Sequence, residues 1–165
     1  MTSVHREKGH EIVESVESCG DPDGCGQWIT GVANVWRTSG DIQARWDSVM
    51  ANIHRQDRMA SVARPGHFND PDMLQVGNVG LTVAEQYSHM SLWCVASAPL
   101  LAGTDIVGAS NATLDILANP EVTAVNQDLG REGAIQGGNS MACFLVQNYG
   151  KCGAISRGHF LEPTT

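Results

Sequence analysis

The sequence predicts an α/β fold: a parallel sheet with helices along its outer faces. Three observations predict it. Short β-like runs alternate with amphipathic helical patterns through most of the chain. Its 165 residues suffice for one buried core, and 42% hydrophobic with 17% charged residues describes a globular chain. No internal repeat or low-complexity segment interrupts the alternation.

The elements follow in order. "EIVESV" (11–16) reads as a strand ending in a Gly/Asp/Pro loop, and "GVANVW" (31–36) as a second. A helix is expected from Asp41 to about Ile53, with Ile42, Trp46, Val49 and Ile53 as its apolar stripe and Asp41 suited to its cap. "ASVARPGHFND" (60–70) holds a short third strand broken by Pro65-Gly66. Thr82-Val83-Ala84-Glu85 is a capping-box start for a second long helix, whose inner stripe would be Val83, Tyr87, Met90 and Cys94. "APLLAGTDI" (98–106) reads as a fourth strand, buried at "PLLA". "NATLDILANPEV" is a short helix stopped by Pro120.

Charge and composition exclude some partners. Ten basic against eighteen acidic residues give a formal charge of −8, which repels a phosphate backbone, so no nucleic acid is expected. No run approaches the length of a membrane span, and none is expected. "MTSVHREKGHEIVES" lacks the apolar centre of a signal peptide. Among five cysteines, Cys19 and Cys25 flank "GDPDG", a loop short enough for a local disulfide, and no Cys/His spacing suggests zinc. "NAT" is an acceptor sequon that makes Asn111 a candidate for N-glycosylation. Together these point to a secretory-pathway protein, secreted or lysosomal/vacuolar, whose signal lies outside this chain.

In a parallel sheet, ligands sit at the carboxyl ends of the strands. Glu17 follows the first strand, and Arg37 and Asp41 follow the second. Asp70, Asp72 and Met73 of "NDPDM" follow the third, and Thr104 and Asp105 the fourth. Carboxylates without a basic cluster suit acid/base work on an uncharged, hydroxyl-rich substrate such as a sugar. Two rival readings of "NDPD" are an Asx-turn and a calcium or magnesium site. The twelve-residue calcium loop is absent and Pro71 stiffens the turn, so no metal is expected. Trp46 and Trp93 fit helix interiors, while Trp28 and Trp36 are candidates either for the core or for the wall of a sugar site.

"NVWRTSGDI", "RPGHFNDPDMLQVGNVGLT", "EQYSHMSLW", "SAPLLAGTDI" and "EVTAVNQDLG" resemble the α-galactosidases of glycoside hydrolase family 27, the melibiases, over roughly residues 11–136. The resemblance implies a retaining glycosidase on a (β/α)₈ TIM barrel, needing no cofactor. It implies that Asp41, in the Trp-Arg-x-x-x-Asp motif, is the acid/base, and that Arg37 binds substrate beside it. Asp72 and Met73 would contact galactose, with Asp70 buttressing their turn. Glu17 would recognise the sugar 2-hydroxyl, where the N-acetylgalactosamine enzymes keep a small residue; Glu17 therefore favours galactose.

The same resemblance marks departures. The family nucleophile lies in a Lys-x-Asp motif on the fourth strand, and the one lysine before position 151 is Lys8, in "KGH". The expectation is therefore a partial barrel, strands five to eight with their helices over 1–136, followed by a tail, 137–165, that does not match the family. Ala33 stands where the family has a cysteine, leaving Cys19–Cys25 as an alternative pairing. The partner implied is a galactosyl-containing carbohydrate. The missing first half of the barrel is required as well, and oligomerisation stays open. Rival readings are a non-catalytic sugar-binding half barrel, an α-N-acetylgalactosaminidase and a β-L-arabinopyranosidase.

Overall fold

A computed structural model describes residues 12–17, 24 and 27–128, together with the backbone of 155–156 and 159–160. Cys19 and Cys25 lie outside the described residues.

Three parallel strands form the sheet, in the order β1 (Ser15–Val16), β2 (Val35–Arg37), β3 (Phe68–Asp70). Registers Val16↔Trp36↔Asn69 and Arg37↔Asp70 bring the strand ends level. β2 is central, and Val35 and Trp36 are buried, as befits a strand covered on both faces. Trp36 is a core residue and not a wall of the site: its Nε1 donates to Asn69 Oδ1 at 2.7 Å, satisfying the one polar atom of a fully buried indole. Helix α1 (Gln27–Ile29) is a single turn between β1 and β2.

Helix α2 (Trp46–Arg58) begins five residues later than expected. Asp41 does not cap it. The backbone there is claimed by side-chain acceptors: Ile42 N–H donates to the distant Asp72 Oδ2 at 2.8 Å and Gln43 N–H to Ser48 Oγ, in the first turn of the helix, at 3.0 Å. The apolar stripe still faces inward, with Val49 and Ile53 buried and Ile42 reaching the core from outside the helix. Gly80, at φ 126°, closes over this segment; a Cβ there would overlap the Ala44 carbonyl oxygen.

The third-strand segment turns at Pro65-Gly66, where Gly66 takes φ 81° and Arg64 and His67 bond to each other across the turn. Helix α3 (Val83–Val95) starts in the expected capping box: Glu85 N–H donates to Thr82 Oγ1, and Thr82 N–H to Glu85 Oε2. Met90 and Cys94 are buried and Tyr87 is half-buried, but Val83 is exposed, because the first turn of α3 projects beyond the core. His89 and Trp93 share the buried face.

The fourth strand is reduced to one parallel bridge, Leu74↔Ala102, at the margin of the sheet. Bonded on one side only, "PLLA" is not buried, and Leu101 stands exposed. Pro120 does not stop a helix but opens one. After α4 (Asn111–Leu117), Asn119 Oδ1 accepts the N–H groups of Glu121 and Val122, and α5 (Pro120–Asn126) follows with proline in its first turn. A separate antiparallel pair joins β4 (Ile155–Ser156) and β5 (His159–Phe160). No described helix is long and apolar enough to cross a membrane.

His89 ties α3 to the loop after β3. Its Nε2 accepts the Gln75 N–H at 3.0 Å, which leaves the ring proton on Nδ1, and the ring meets Trp93 edge-on at 4.1 Å. Burial holds the imidazole neutral and pushes its pKa from 6.5 down to about 3. Between these values the unfolded chain binds a proton that the folded chain refuses. The stability is therefore present above pH 6.5 and is lost as pH falls, by at most about 1.4 kcal/mol per pH unit. His89→Gln keeps a side-chain acceptor and removes the titration. Urea midpoints between neutrality and mild acid should fall less in this variant than in the wild type; parallel curves would assign the acid sensitivity elsewhere.

Candidate active site

At the carboxyl end of the sheet, the loop after β2 (38–42) is sewn to the turn after β3 (70–73). Thr38 donates to the Asp70 carbonyl through both N–H (2.9 Å) and Oγ1 (3.2 Å), and Ser39 Oγ reaches the Pro71 carbonyl at 3.4 Å. These bonds exist because parallel pairing of β2 with β3 releases both chains at the same level.

Asp72 is the centre of the seam. It is a non-glycine residue at φ 87°, a costly backbone conformation that persists only when its surroundings enforce it. They do so through every polar atom it has. Its N–H donates to Asp70 Oδ1 (2.8 Å) and its carbonyl accepts Trp93 Nε1 (2.7 Å). Oδ1 accepts Met73 N–H (2.7 Å), while Oδ2 accepts Ile42 N–H and pairs with the Arg37 guanidinium at 2.8 Å.

Arg37 joins two carboxylates of opposite character. The pair with Asp72 is largely dry, with side chains 17% and 9% exposed. The same Nη2 lies 3.2 Å from Asp41 Oδ1, but the Asp41 side chain is 89% exposed. That second pair is solvent-screened and contributes little to stability. What it does is orient an accessible carboxyl beside a fixed cation. A solvent-accessible carboxyl next to a buried ion pair is open to contact with a polar neutral ligand.

The structure thus gathers Arg37, Asp41, Asp70 and Asp72, with exposed Met73 on the turn. Glu17 stands one residue past β1, level with Arg37 in the register, and is exposed. Asp105 is not part of the group: its Oδ1 accepts Val107 and Gly108 N–H within its own loop. Trp28 is exposed, with Nε1 on the Gly24 carbonyl. Asn111 is exposed at the start of α4. Among the described residues no group of three or more His, Cys, Asp or Glu is placed to hold a metal ion.

Sequence reasoning missed two supports. Trp93 fits a helix interior by its spacing, which says nothing of its bond to the Asp72 carbonyl. Asn52 is the other, and it lies between Val49 and Ile53 on the stripe that must face the core. A polar residue at such a position signals a buried partner.

Asp70 carries the electrostatic cost. Burial raises its carboxyl above 3.8; the Asp72 N–H and Arg37 pull it down, and the Asp72 charge pushes it up again. From pH 3.8 upward the folded state holds a proton that the unfolded chain has released, so this group costs stability as pH rises through that window. Asp70→Asn keeps an oxygen for the Asp72 N–H and removes the charge. Its denaturation midpoint should gain on the wild type as pH rises towards neutrality, and a constant difference would show that the Asp70 charge is not the cause.

Comparison with known proteins follows the same span. The family model described as alpha galactosidase A matches residues 21–128. The chain is 46% identical to Alpha-galactosidase 2 of Arabidopsis thaliana over 134 residues, covering 81% of this chain and 34% of that protein. Alpha-galactosidase I from Mortierella vinacea superposes with a TM-score of 0.72 at 30% identity, over 78% of this chain and 37% of that one. Alpha-galactosidase from Saccharomyces cerevisiae, in a structure with raffinose, gives 0.70 at 27%, over 82% and 34%. The chain therefore spans about a third of the length of these relatives.

Proposed function

The chain belongs to the alpha galactosidase A (melibiase) family, and from that premise we propose that it forms the acid/base half of a retaining glycoside hydrolase releasing terminal α-linked galactose. On this reading β1, β2, β3 and the segment bridged at Ala102 are strands five to eight of a (β/α)₈ barrel, spanning residues 1–136, and 137–165 is a separate tail.

The observation that carries the reading is Arg37 held between exposed Asp41 and buried Asp72 at the carboxyl ends of parallel strands. Asp41 protonates the leaving glycosidic oxygen and then deprotonates the attacking water. A retaining mechanism also needs a nucleophilic carboxylate about 5 Å from the acid, and on this reading the first half of the barrel supplies it. Arg37, Asp72, Met73 and Glu17 hold the sugar, and Asp70 braces the turn. Galactose is the substrate favoured, because Glu17 fills the room that a 2-acetamido group would take. The relative solved with raffinose, an α-galactoside, is in keeping with this.

The test is hydrolysis of p-nitrophenyl α-galactoside by the chain alone and by the chain assembled with the first half-barrel of the Arabidopsis relative. Activity is expected only in the assembly, and Asp41→Asn should lower its turnover by roughly 10²–10⁴-fold. Turnover by the chain alone would place a nucleophile within these 165 residues. An active assembly indifferent to Asp41→Asn would remove Asp41 from the acid/base role.

A further inference from the structure

Asn52 is a buried primary amide in the middle of α2, a position that a helix facing a core ordinarily gives to an apolar residue. Its Nδ2 donates both of its hydrogens. One goes to the Gly40 carbonyl at 3.1 Å, the other to the Pro71 carbonyl at 3.0 Å. Gly40 immediately precedes Asp41, and Pro71 immediately precedes Asp72. A single nitrogen therefore grips the chain one peptide before each of the two carboxylates that meet on Arg37.

We propose that Asn52 is a positioning residue that sets the separation between the Asp41 loop and the Asp72 turn. The inference rests on the reading that these two residues act on the sugar, but the geometry itself does not depend on it. Trp93 Nε1 ties the Asp72 turn alone to α3; the other seam contacts join the two loops to each other and do not reference the Asp41 loop to a helix. Asn52 belongs to neither loop. It stands on a helix whose own place is fixed by Val49 and Ile53 in the core, and by Gln56 Nε2 on the Ala96 carbonyl at 3.1 Å. The bond pair thus references both loops to the rigid body of the domain.

The chemistry required is narrow. Both acceptors are carbonyl oxygens, so the side chain must bring two donors on one atom and no negative charge. A serine hydroxyl supplies one hydrogen, a leucine none, and an aspartate would set a carboxylate against two carbonyl oxygens. Removing both donors leaves the buried Pro71 carbonyl and the more exposed Gly40 carbonyl without this partner, and the loops relax apart as the Pro71 carbonyl seeks another.

The experiment uses the chain assembled with the Arabidopsis half-barrel, and compares Asn52→Leu, Asn52→Ser and Ile53→Val. The last trims the same helix face without touching either loop. Two readouts are taken from one sample. In ¹³C,¹⁵N spectra, Asn52→Leu should shift the Gly40 and Pro71 carbonyls and the Ile42 amide, Asn52→Ser should shift one carbonyl only, and Ile53→Val none. In kinetics, Asn52→Leu should lower kcat roughly tenfold or more, with KM moving less than about twofold, because misplaced groups cost most in the transition state. Should Asn52→Leu fail to fold, Asn52→Ser decides alone by the carbonyl it releases. Resonances that move no more in the Asn52 variants than in Ile53→Val would overturn the proposal. Moved resonances in an assembly with no wild-type turnover would uphold it while counting against the glycosidase reading.

Discussion

The buried contact between Arg37 and Asp72 is the constraint on which the rest of this site depends. Two ionised groups placed largely out of water are costly unless each is paired and its remaining polar atoms are satisfied. Here the satisfaction is unusually complete on the Asp72 side. Four backbone or side-chain groups from three different elements close around it. Removing either partner would strand a mostly buried charge, at a cost on the order of 3–5 kcal/mol. The pair contributes definition more than net stability, because it can form in one arrangement of the two loops only.

That arrangement explains otherwise unrelated local choices. The chain at 41–45 stays out of helix because Ile42 N–H is needed by Asp72. Asp72 accepts a left-handed backbone because that conformation turns its carboxylate back to Arg37 while its carbonyl meets Trp93. Asp70 tolerates burial with a raised pKa because its oxygen holds the Asp72 N–H. Trp93 in turn carries His89 against it, so α3 is coupled to the same turn through an indole and an imidazole. Small costs in strain and desolvation are concentrated within a few residues, as expected where geometry matters more than local stability.

The contrast between Asp41 and Asp72 is the main electrostatic feature of the site. Both reach the same guanidinium nitrogen, yet one carboxylate is nearly dry and the other nearly free in water. The dry pair is a fixed electrostatic landmark, and the wet carboxyl is open to solvent. A polar neutral ligand lying across them would meet a rigid floor and a hydrated rim. Asn52, below both loops, holds the floor and the rim at one distance.

Much of this was legible in the sequence. The α/β alternation, the α3 capping box, the Pro65-Gly66 break and the gathering of Arg37, Asp41, Asp70 and Asp72 follow from local patterns and from strand ends lying level in a parallel sheet. The long motifs also pointed to the family. Local patterns failed where a distant group took over a backbone or side-chain role. Asp41 looked like a helix cap until the Asp72 carboxylate claimed the next N–H. Pro120 looked like a stop until Asn119 capped a new helix behind it. "PLLA" looked buried because its composition is apolar, although it lies at the margin of the sheet with one bonded side. Which residues carry charge and which are apolar is set by the chain itself, through periodicity and propensity. Which carboxylate is dry, which is wet and what holds them apart was decided by tertiary structure alone, because burial and pairing depend on neighbours some 30 residues away in the chain.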